Sequence, residues 1–335
     1  MSEFSQQLSY YIKKCSVNIS KLSADTGLDR TLLHKYISGK RIPGDIGIIF
    51  SICSGLHISA EDTRKLTDSY NLSYFGREIY CQKKKSAMII DTLNDAQRIN
   101  ISQVQQPSNM SFDCISKVFS GEHAVRAAIR GVLKQTTSEI FILSPIYNSI
   151  ADDIAVVCAD GYSPLITHIL PLSAGSIPGH TSYNLSCLLN ILPAIIYDNN
   201  YTGRYFYSNP EAVSQTAGIL PDVIITDNCI LRFESDLSCG VLDTSSEIIS
   251  IYRRLAVKRQ ESSEIFIKKE PVPHYEKCET GSYIKENVCI LNEDKKNILY
   301  YSMNNLLFSL LINEPEINEL FSPDKISPYQ LSLLR

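Results

Sequence analysis

The side chains best suited to chemistry in this chain lie between positions 29 and 38. If this segment is a helix, its inner face is apolar and consists of Leu32, Leu33 and Tyr36. The opposite face carries four polar side chains: Arg30, Thr31, His34 and Lys35. Arginine and lysine donate to guanine edges in the major groove of DNA, and threonine can donate or accept. The outer face therefore predicts a helix that contacts base pairs.

Such a helix needs a second helix to hold it, and residues 19–43 contain the signals for both. Gly27 can adopt positive φ, so one helix can end and the next begin within about four residues. Asp29 stands where its carboxylate can cap the second helix, and Gly39 ends that helix. We therefore predict that Gly27, Asp29 and Gly39 are turn and cap residues.

The ends of this helix pair are basic and polar. Four residues there are predicted to contact the DNA backbone: Ser20, Lys21, Lys40 and Arg41. Contacts with phosphates give affinity and salt dependence, whereas contacts with base edges give sequence choice.

The order I-S-x-L-S-x-x-T-G-L-x-x-x-x-L-x-x-Y-x-x-G-K-R-x-P in residues 19–43 resembles the Cro/CI (XRE) helix-turn-helix family of bacterial and phage repressors. The resemblance covers residues 4–70. It implies a five-helix domain whose third helix enters the major groove, with Arg30, Thr31 and Lys35 at base-contacting positions. Leu32 and Ile37 depart from the family, whose members often have polar residues there. A helix pair of this kind can also serve only for packing or for protein docking.

Helix periodicity predicts the rest of this domain, residues 1–75. The other helices span 4–15, 45–56 and 60–70, and the second of these has four residues facing inward: Ile46, Ile49, Phe50 and Cys53. Residues 1–85 contain thirteen Lys and Arg against eight Asp and Glu, whereas the whole chain has a net charge of −4. A basic first part on an acidic chain is expected when one end meets phosphate.

Residues 76–120 are predicted to form a connector. A basic segment, 77–85, precedes a short helix at 87–93, and the polar, proline-containing stretch 100–111 is typical of an exposed linker.

Residues 121–260 are predicted to form an α/β domain with helices on a mixed sheet, for sensing or dimerisation. The predicted helices are 123–134, 183–192, 210–218 and 245–257, and the predicted strands are 139–144, 165–172 and 201–207. Residues 222–233 are predicted to form a hairpin, with Asp227 and Asn228 at positive φ in its turn. The order of elements loosely resembles degenerate phospholipase D-like domains of bacterial regulators.

That resemblance can be tested for catalysis, because the chemistry needs a histidine followed two residues later by a lysine. The histidines at 123, 168, 180 and 274 are each followed there by another residue type. The chain also has no P-loop, no G-x-G-x-x-G and no serine nucleophile elbow. We therefore expect no catalytic residues, no cofactor and no enzyme activity.

Other candidate sites in this region have a structural alternative. The pairs Asp152 with Asp153 and His168 with Asp160 could be acid and base, although structural roles are more common. Four aromatic residues could line an effector pocket or belong to the core: Tyr201, Tyr205, Phe206 and Tyr207. The ten cysteines include no C-x-x-C pair, so we expect reduced thiols and no metal site.

Residues 261–335 are predicted to form a C-terminal extension. It should contain a second hairpin at 282–291, with its turn near 285–287, and an apolar helix at 297–312 that is buried or forms a dimer seam.

Together these patterns predict a multidomain α and α/β protein that regulates transcription by binding a double-stranded DNA operator as a homodimer. A small-molecule or peptide effector is possible. No apolar run is long enough to span a membrane and no signal peptide is visible, so we expect a cytoplasmic protein. The alternatives are a nucleotide or phosphodiester hydrolase delivered to DNA by the first domain, and a protein-docking module in a phage-related or defence assembly.

Overall fold

The computed structural model describes residues 2–94, 115–136, 138–144, 150–175, 182–209, 220–271, 288–293, 296–303 and 306–312. The chain divides into two compact units, Met1–Lys84 and Lys85–Arg335. The division falls inside a helix, whereas the sequence placed domain limits at 75 and 120. The architecture is multidomain, with an α part and an α/β part, as predicted.

The first unit is helical. Its elements are α1 Glu3–Lys14, α2 Ile19–Thr26, α3 Arg30–Ile37, α4 Ile46–Leu56, α5 Ala60–Phe75 and the first half of α6 Arg77–Asn94. The first five helices each begin at a polar residue whose side chain accepts from a free backbone N–H: Ser2, Asn18, Asp29, Asp45 and Ser59. These local caps explain why the helices start where they do.

One core joins these helices. Its fully buried members come from every helix from α1 to α5 and include Phe4, Leu8, Leu22, Leu33, Ile49 and Leu66. The predicted inward position of Phe50 is wrong, because its side chain is 41% exposed. The buried residues of α4 include Ile52 and Leu56 instead. Helix α5 is longer than the predicted span 60–70, and it buries Leu66 and Tyr70 in this core.

The second unit is built on a mixed sheet. Its described strands are β1 Ser116–Ser120, β2 Ile140–Leu143, β3 Ile166–Leu172, β4 Tyr201–Tyr207, β5 Asp222–Ile225, β6 Ile230–Phe233, β7 Cys239–Asp243, β8 Glu264–Pro271, β9 Val288–Glu293, β10 Lys296–Met303 and β11 Leu306–Ile312. They lie in the order β1-β7-β6-β5-β2-β3-β4-β8-β11-β10-β9. Only the pairings of β2 with β3 and of β3 with β4 are parallel, and the other described pairings are antiparallel.

Helices cover both faces of the central strands. The helices are α7 Glu122–Gln135, α8 Ile150–Ala159, α9 Tyr183–Tyr197 and α10 Ser246–Glu261. Ile140 and Ile142 of β2 share a buried core with α7, α8 and α9, whereas Phe141 between them packs with Ile249 of α10. This alternation is what a strand covered on both faces requires. Ile89 at the end of α6 also belongs to the larger core.

The predicted apolar helix at 297–312 is wrong, because the described residues of this range lie in β10 and β11, which pair antiparallel. A continuous apolar run has no period that separates helix from strand, and this one is rich in residues that favour strands. The predicted hairpin turn near 285–287 lies outside the described residues. The strand that follows it, β9, pairs with β10.

The hairpin at 222–233 is confirmed, but its predicted turn chemistry is wrong. Neither Asp227 nor Asn228 has positive φ. Instead the Thr226 hydroxyl oxygen accepts from the backbone N–H of Asn228 at 3.1 Å and of Cys229 at 3.0 Å. A threonine side chain thus shapes the turn.

Several elements were missed. Strand β1 lies within the predicted connector and pairs with β7, which was also missed, as were α8 and β8. The predicted linker at 100–111 and the predicted helix at 210–218 both lie outside the described residues. Among the helices that the structure describes, none combines the length and the apolar character needed to cross a membrane.

Candidate nucleic-acid interface

The turn between α2 and α3 is held by short local contacts. Gly27 has a φ of 70°, in the left-handed region that was predicted for it. The Ser23 hydroxyl donates to the Leu28 carbonyl at 2.6 Å, and the Thr26 hydroxyl donates to the Leu22 carbonyl at 2.6 Å. These contacts define the direction in which the chain leaves α2 and enters α3.

Asp29 caps α3 in the structure. Its Oδ1 accepts from the backbone N–H of Thr31 at 2.8 Å and of Leu32 at 3.2 Å. The bond from the Leu32 backbone and those from Thr31 lower the pKa of Asp29, so the carboxylate is ionised at neutral pH. Its charge sits at the positive end of the helix dipole.

Gly39 follows the C-terminal end of α3 and lies close to α1. Gly39 has a φ of 72°, and a Cβ there would lie 3.0 Å from the Ser5 hydroxyl oxygen of α1. Glycine is therefore favoured at position 39 for two reasons: its backbone has positive φ, and the Ser5 side chain lies close to it. The Arg41 N–H then donates to the Lys35 carbonyl at 3.2 Å, which ties the following loop back to the helix.

Helix α2 is positioned by α4. A Cβ on Gly55 of α4 would lie 2.8 Å from the Thr26 methyl group and 3.0 Å from a Leu22 methyl group. The absent side chain lets the two helices approach closely. This contact could not be predicted from the sequence, since Gly55 lies inside a helix and no local turn marks it.

The inner face of α3 is buried, as predicted, at Leu33 and Tyr36. Leu32 is half-buried and packs against the same core, as does Ile37. The two apolar residues that depart from the Cro/CI pattern therefore support the packing of the helix at its rim.

The outer face of α3 is exposed along its length. Its four exposed polar residues are Arg30, Thr31, His34 and Lys35. At 100° per residue they lie within about 140° of the helix circumference. One side of α3 thus presents two cationic groups, a hydroxyl and an imidazole to solvent.

Both ends of the helix pair add exposed polar residues. Those predicted to meet phosphates are all exposed: Ser20, Lys21, Lys40 and Arg41. In the described part of the chain, no hydrogen bond or ion pair engages the side chains of Arg30, Lys35, Lys40 or Arg41. These cations are available to an external ligand.

The support behind this surface includes a contact that the sequence did not reveal. Lys14 of α1 pairs with Asp62 of α5 at 2.9 Å, and the Tyr11 hydroxyl donates to the same carboxylate at 3.1 Å. Burial and this hydrogen bond raise the pKa of Tyr11 to about 12. Because the partners are about fifty positions apart, no local signal predicts the contact.

No protein-family model matches the chain, and no curated protein sequence matches it. Among solved structures, one that matches is TrmBL2, an archaeal chromatin protein with a novel mode of DNA binding. The match is 13% identical, covers 62% of this chain and 71% of that chain, and has a TM-score of 0.31. At this TM-score the similarity carries no argument about function.

The second unit does not bring the proposed acid and base pairs together. His168 is buried in β3, and its Nδ1 lies 2.7 Å from the Tyr201 hydroxyl. Burial lowers the pKa of His168 to about 3, so the imidazole is neutral. Asp160 instead pairs with Lys134 at 2.6 Å on the surface.

Asp153 is buried in an ion-pair cluster, whereas Asp152 is exposed, so the two carboxylates do not form an acid and base pair. Its two carboxylate oxygens accept from Arg126 and Arg130, both at 2.6 Å, and the side chain of Asp153 is fully buried. The cluster joins α7 to α8. Its partners on all sides are protein groups, which is the arrangement of a structural contact.

The aromatic stripe on β4 is divided between core and surface. Tyr201 and Tyr205 are buried in the main core, whereas Tyr207 is exposed. The guanidinium carbon of Arg259 lies 4.4 Å from the centroid of the Phe206 ring.

Within the described residues, no group of three or more histidine, cysteine or acidic side chains could hold a metal ion.

Proposed function

We propose that the chain is a sequence-specific DNA-binding transcriptional regulator whose α2–α3 pair acts as a Cro/CI-type helix-turn-helix. One observation carries the proposal: Arg30 and Lys35 extend from one exposed face of α3, with no ionic partner among the described residues. A cationic helix face of this width matches the donor pattern that guanine edges accept in the major groove.

In this proposal the residues have separate roles. Arg30, Thr31, His34 and Lys35 contact bases, and the first two enter deepest because they lie at the start of the helix. Ser20 and Lys21, at the start of α2, contact phosphates together with Lys40 and Arg41. The function uses two copies of the chain, since paired half-sites about 34 Å apart double the contacts with a two-fold operator.

The second unit, in the same proposal, senses an effector or pairs copies of the chain and does not catalyse. The buried His168 and the charge-paired Asp153 and Asp160 support this assignment, since each of these groups is bound to another protein side chain. Turnover of a phosphodiester by the full chain that a single histidine or aspartate change abolishes would overturn it.

The test is to select bound fragments from a random duplex pool with the full chain. We expect one enriched motif with two related half-sites. Arg30→Ala should then cost about 1–3 kcal/mol of binding free energy at the matching base pair and relax the preference there. Arg64→Ala is the matched control, because Arg64 is an exposed cation on α5.

The outcomes separate the competing functions. Equal loss from both variants at all sequences would show that the charge acts without base contacts. A chain that binds no duplex at any salt concentration, but is retained on a protein partner through α3, would favour the docking alternative.

A further inference from the structure

Helix α10 has an apolar stripe on the side that faces away from the sheet. Ile249 and Ala256 pack against the sheet, whereas Ile251 and Leu255 are 46% and 54% exposed. Residues four positions apart lie on the same side of a helix, so these two form one continuous patch. Half-exposed branched side chains in such a patch are typical of a surface that another element covers.

Opposite charges flank this patch. Glu247 lies one turn before Ile251, and Lys258 lies about one turn after Leu255; both are exposed. They are eleven positions apart, which is about 16 Å along the helix axis, so they cannot pair with each other. Within the described residues, no side-chain contact engages the Lys258 ammonium group, while Glu247 accepts from the Ser245 and Ser246 hydroxyls at 3.0 and 3.2 Å.

We propose that α10 is a homodimer contact that pairs antiparallel with α10 of a second copy, about a two-fold axis between Tyr252 and Arg253. In this arrangement Glu247 meets Lys258 of the partner subunit, and the symmetry makes the same ion pair twice. Ile251 and Leu255 pack against the partner's equivalent patch between these pairs. An isologous contact of this kind needs a surface that is complementary to itself, which the order acid, apolar, apolar, base provides.

The charges also exclude the parallel arrangement of the two helices. A parallel pair would place Glu247 opposite Glu247 of the partner subunit, and like charges in contact are unfavourable. An antiparallel pair also opposes the two helix dipoles, which is the favourable orientation. Arg254, on the same outer face, can cover the partner's apolar patch with its stem and keep its guanidinium group in water.

This inference rests on the pairing of two copies that the proposed function uses, and its test contains no DNA. Its failure therefore leaves the base-contact experiment unaffected. The measurement is the mass of the full chain by sedimentation equilibrium over a wide concentration range. We expect a monomer–dimer equilibrium.

Four variants test the contact. Ile251→Glu should raise the dissociation constant by about tenfold or more, since it places a charge in the apolar centre. Val257→Glu is the matched control: Val257 is 41% exposed on the same helix, but about 120° away from Ile251 around the axis. Glu247→Lys and Lys258→Glu should each weaken the dimer.

The double variant Glu247→Lys with Lys258→Glu decides the orientation. It exchanges the two charges and re-forms both ion pairs across the axis, so dimerisation should return toward the wild-type value. The recovery also shows that a folded chain tolerates both changes. A monomer at all concentrations, a dimer that Ile251→Glu leaves unchanged, or a double variant weaker than both single variants would each overturn the proposal.

Discussion

Arg30 and Lys35 in the first unit project from an exposed helix face, whereas Arg126 and Arg130 in the second unit close on one buried carboxylate. Both places use cationic side chains, an arginine and a lysine in the first unit and two arginines in the second. Among the described residues, neither Arg30 nor Lys35 forms an ion pair. Arg126 and Arg130 each form an ion pair with Asp153, at 2.6 Å.

The two sets of cations differ in whether their interaction energy is still available to a ligand. An exposed cation keeps its water until a ligand replaces it, so its interaction energy remains available for binding. A buried ion pair has already lost its water, and its energy is committed to the fold. Burial raises the pKa of Asp153, and the charges of Arg126 and Arg130 act in the opposite direction. Arg126 and Arg130 therefore contribute to the fold through Asp153, whereas Arg30 and Lys35 remain exposed to solvent.

The largest effect should come from breaking the buried pair. Asp153→Asn removes the buried carboxylate that Arg126 and Arg130 share, although Arg126 keeps its exposed partner Glu122, and should lower the free energy of unfolding by about 3–5 kcal/mol. Hydrogen exchange of the full chain should show faster exchange in α7 and α8. Asp160→Asn is the control, because that surface pair with Lys134 should contribute about 1 kcal/mol or less. Equal effects from the two variants would contradict the distinction between buried and exposed charge.

A second prediction concerns a buried carboxylate that has no cationic partner among the residues that the structure describes. Asp222 accepts from the Ser144 and Ser235 hydroxyls, and burial raises its pKa from 3.8 to about 6. A carboxyl with a raised pKa in the folded state stabilises the fold at low pH, and this stability is lost as pH rises from about 4 to about 6. The contribution that is lost is about 3 kcal/mol, since each pKa unit corresponds to about 1.4 kcal/mol.

The measurement is the free energy of unfolding against pH for the wild type and for Asp222→Asn, which does not titrate. The difference between the two curves should change between pH 4 and pH 6 and be constant above pH 7. Asp236→Asn is the control, because its exposed carboxylate has a lowered pKa. Parallel curves for wild type and Asp222→Asn would show that this site has an ordinary pKa.

A smaller effect is expected at the turn that orients α3. Gly27→Ala should cost about 1–2 kcal/mol of unfolding free energy, because its φ of 70° is unfavourable for a residue with a Cβ. No atom lies within 4 Å of the Cβ position, so the cost is one of backbone conformation alone. Gly44→Ala is the matched control, since that site is equally open and has no positive φ. Loss of stability in both variants would point to a general effect of alanine in these loops.

The helix pair could be predicted because its signals are local. Gly27, Asp29 and Gly39 each act within a few residues of their own position, through positive φ or a cap. The contacts that support the pair could not be predicted in this way. Gly39 needs its small size because of Ser5, and Gly55 because of Leu22 and Thr26, and only the folded chain brings these residues together.

The second unit shows the same limit more strongly. The helix at 123–134 was predicted from its helical period and the strand at 139–144 from a short, compact apolar run, and both are present as α7 and β2. Residues 297–312 have no such period, so the wrong element was chosen. Nothing in the sequence around His168 indicates that its side chain contacts Tyr201. Whether such a polar group is catalytic or structural depends on partners that a linear pattern does not show.

The smallest predicted effect separates two classes of exposed cation within the first unit. Lys40 and Arg41 follow α3 in a loop, so in the proposed complex they contact phosphates rather than bases. Lys40→Ala or Arg41→Ala should weaken binding to all sequences alike and lower the slope of log affinity against log salt by about one for each residue. Arg30→Ala should lower affinity mainly for the selected sequence and change which base is preferred. Titrations of selected and scrambled duplexes at several salt concentrations measure both quantities, with Arg64→Ala as the control for net charge. If Lys40→Ala changed base preference while Arg30→Ala changed only the salt slope, the base-contacting surface would be the loop after α3, and the helix face would be the part that holds the backbone.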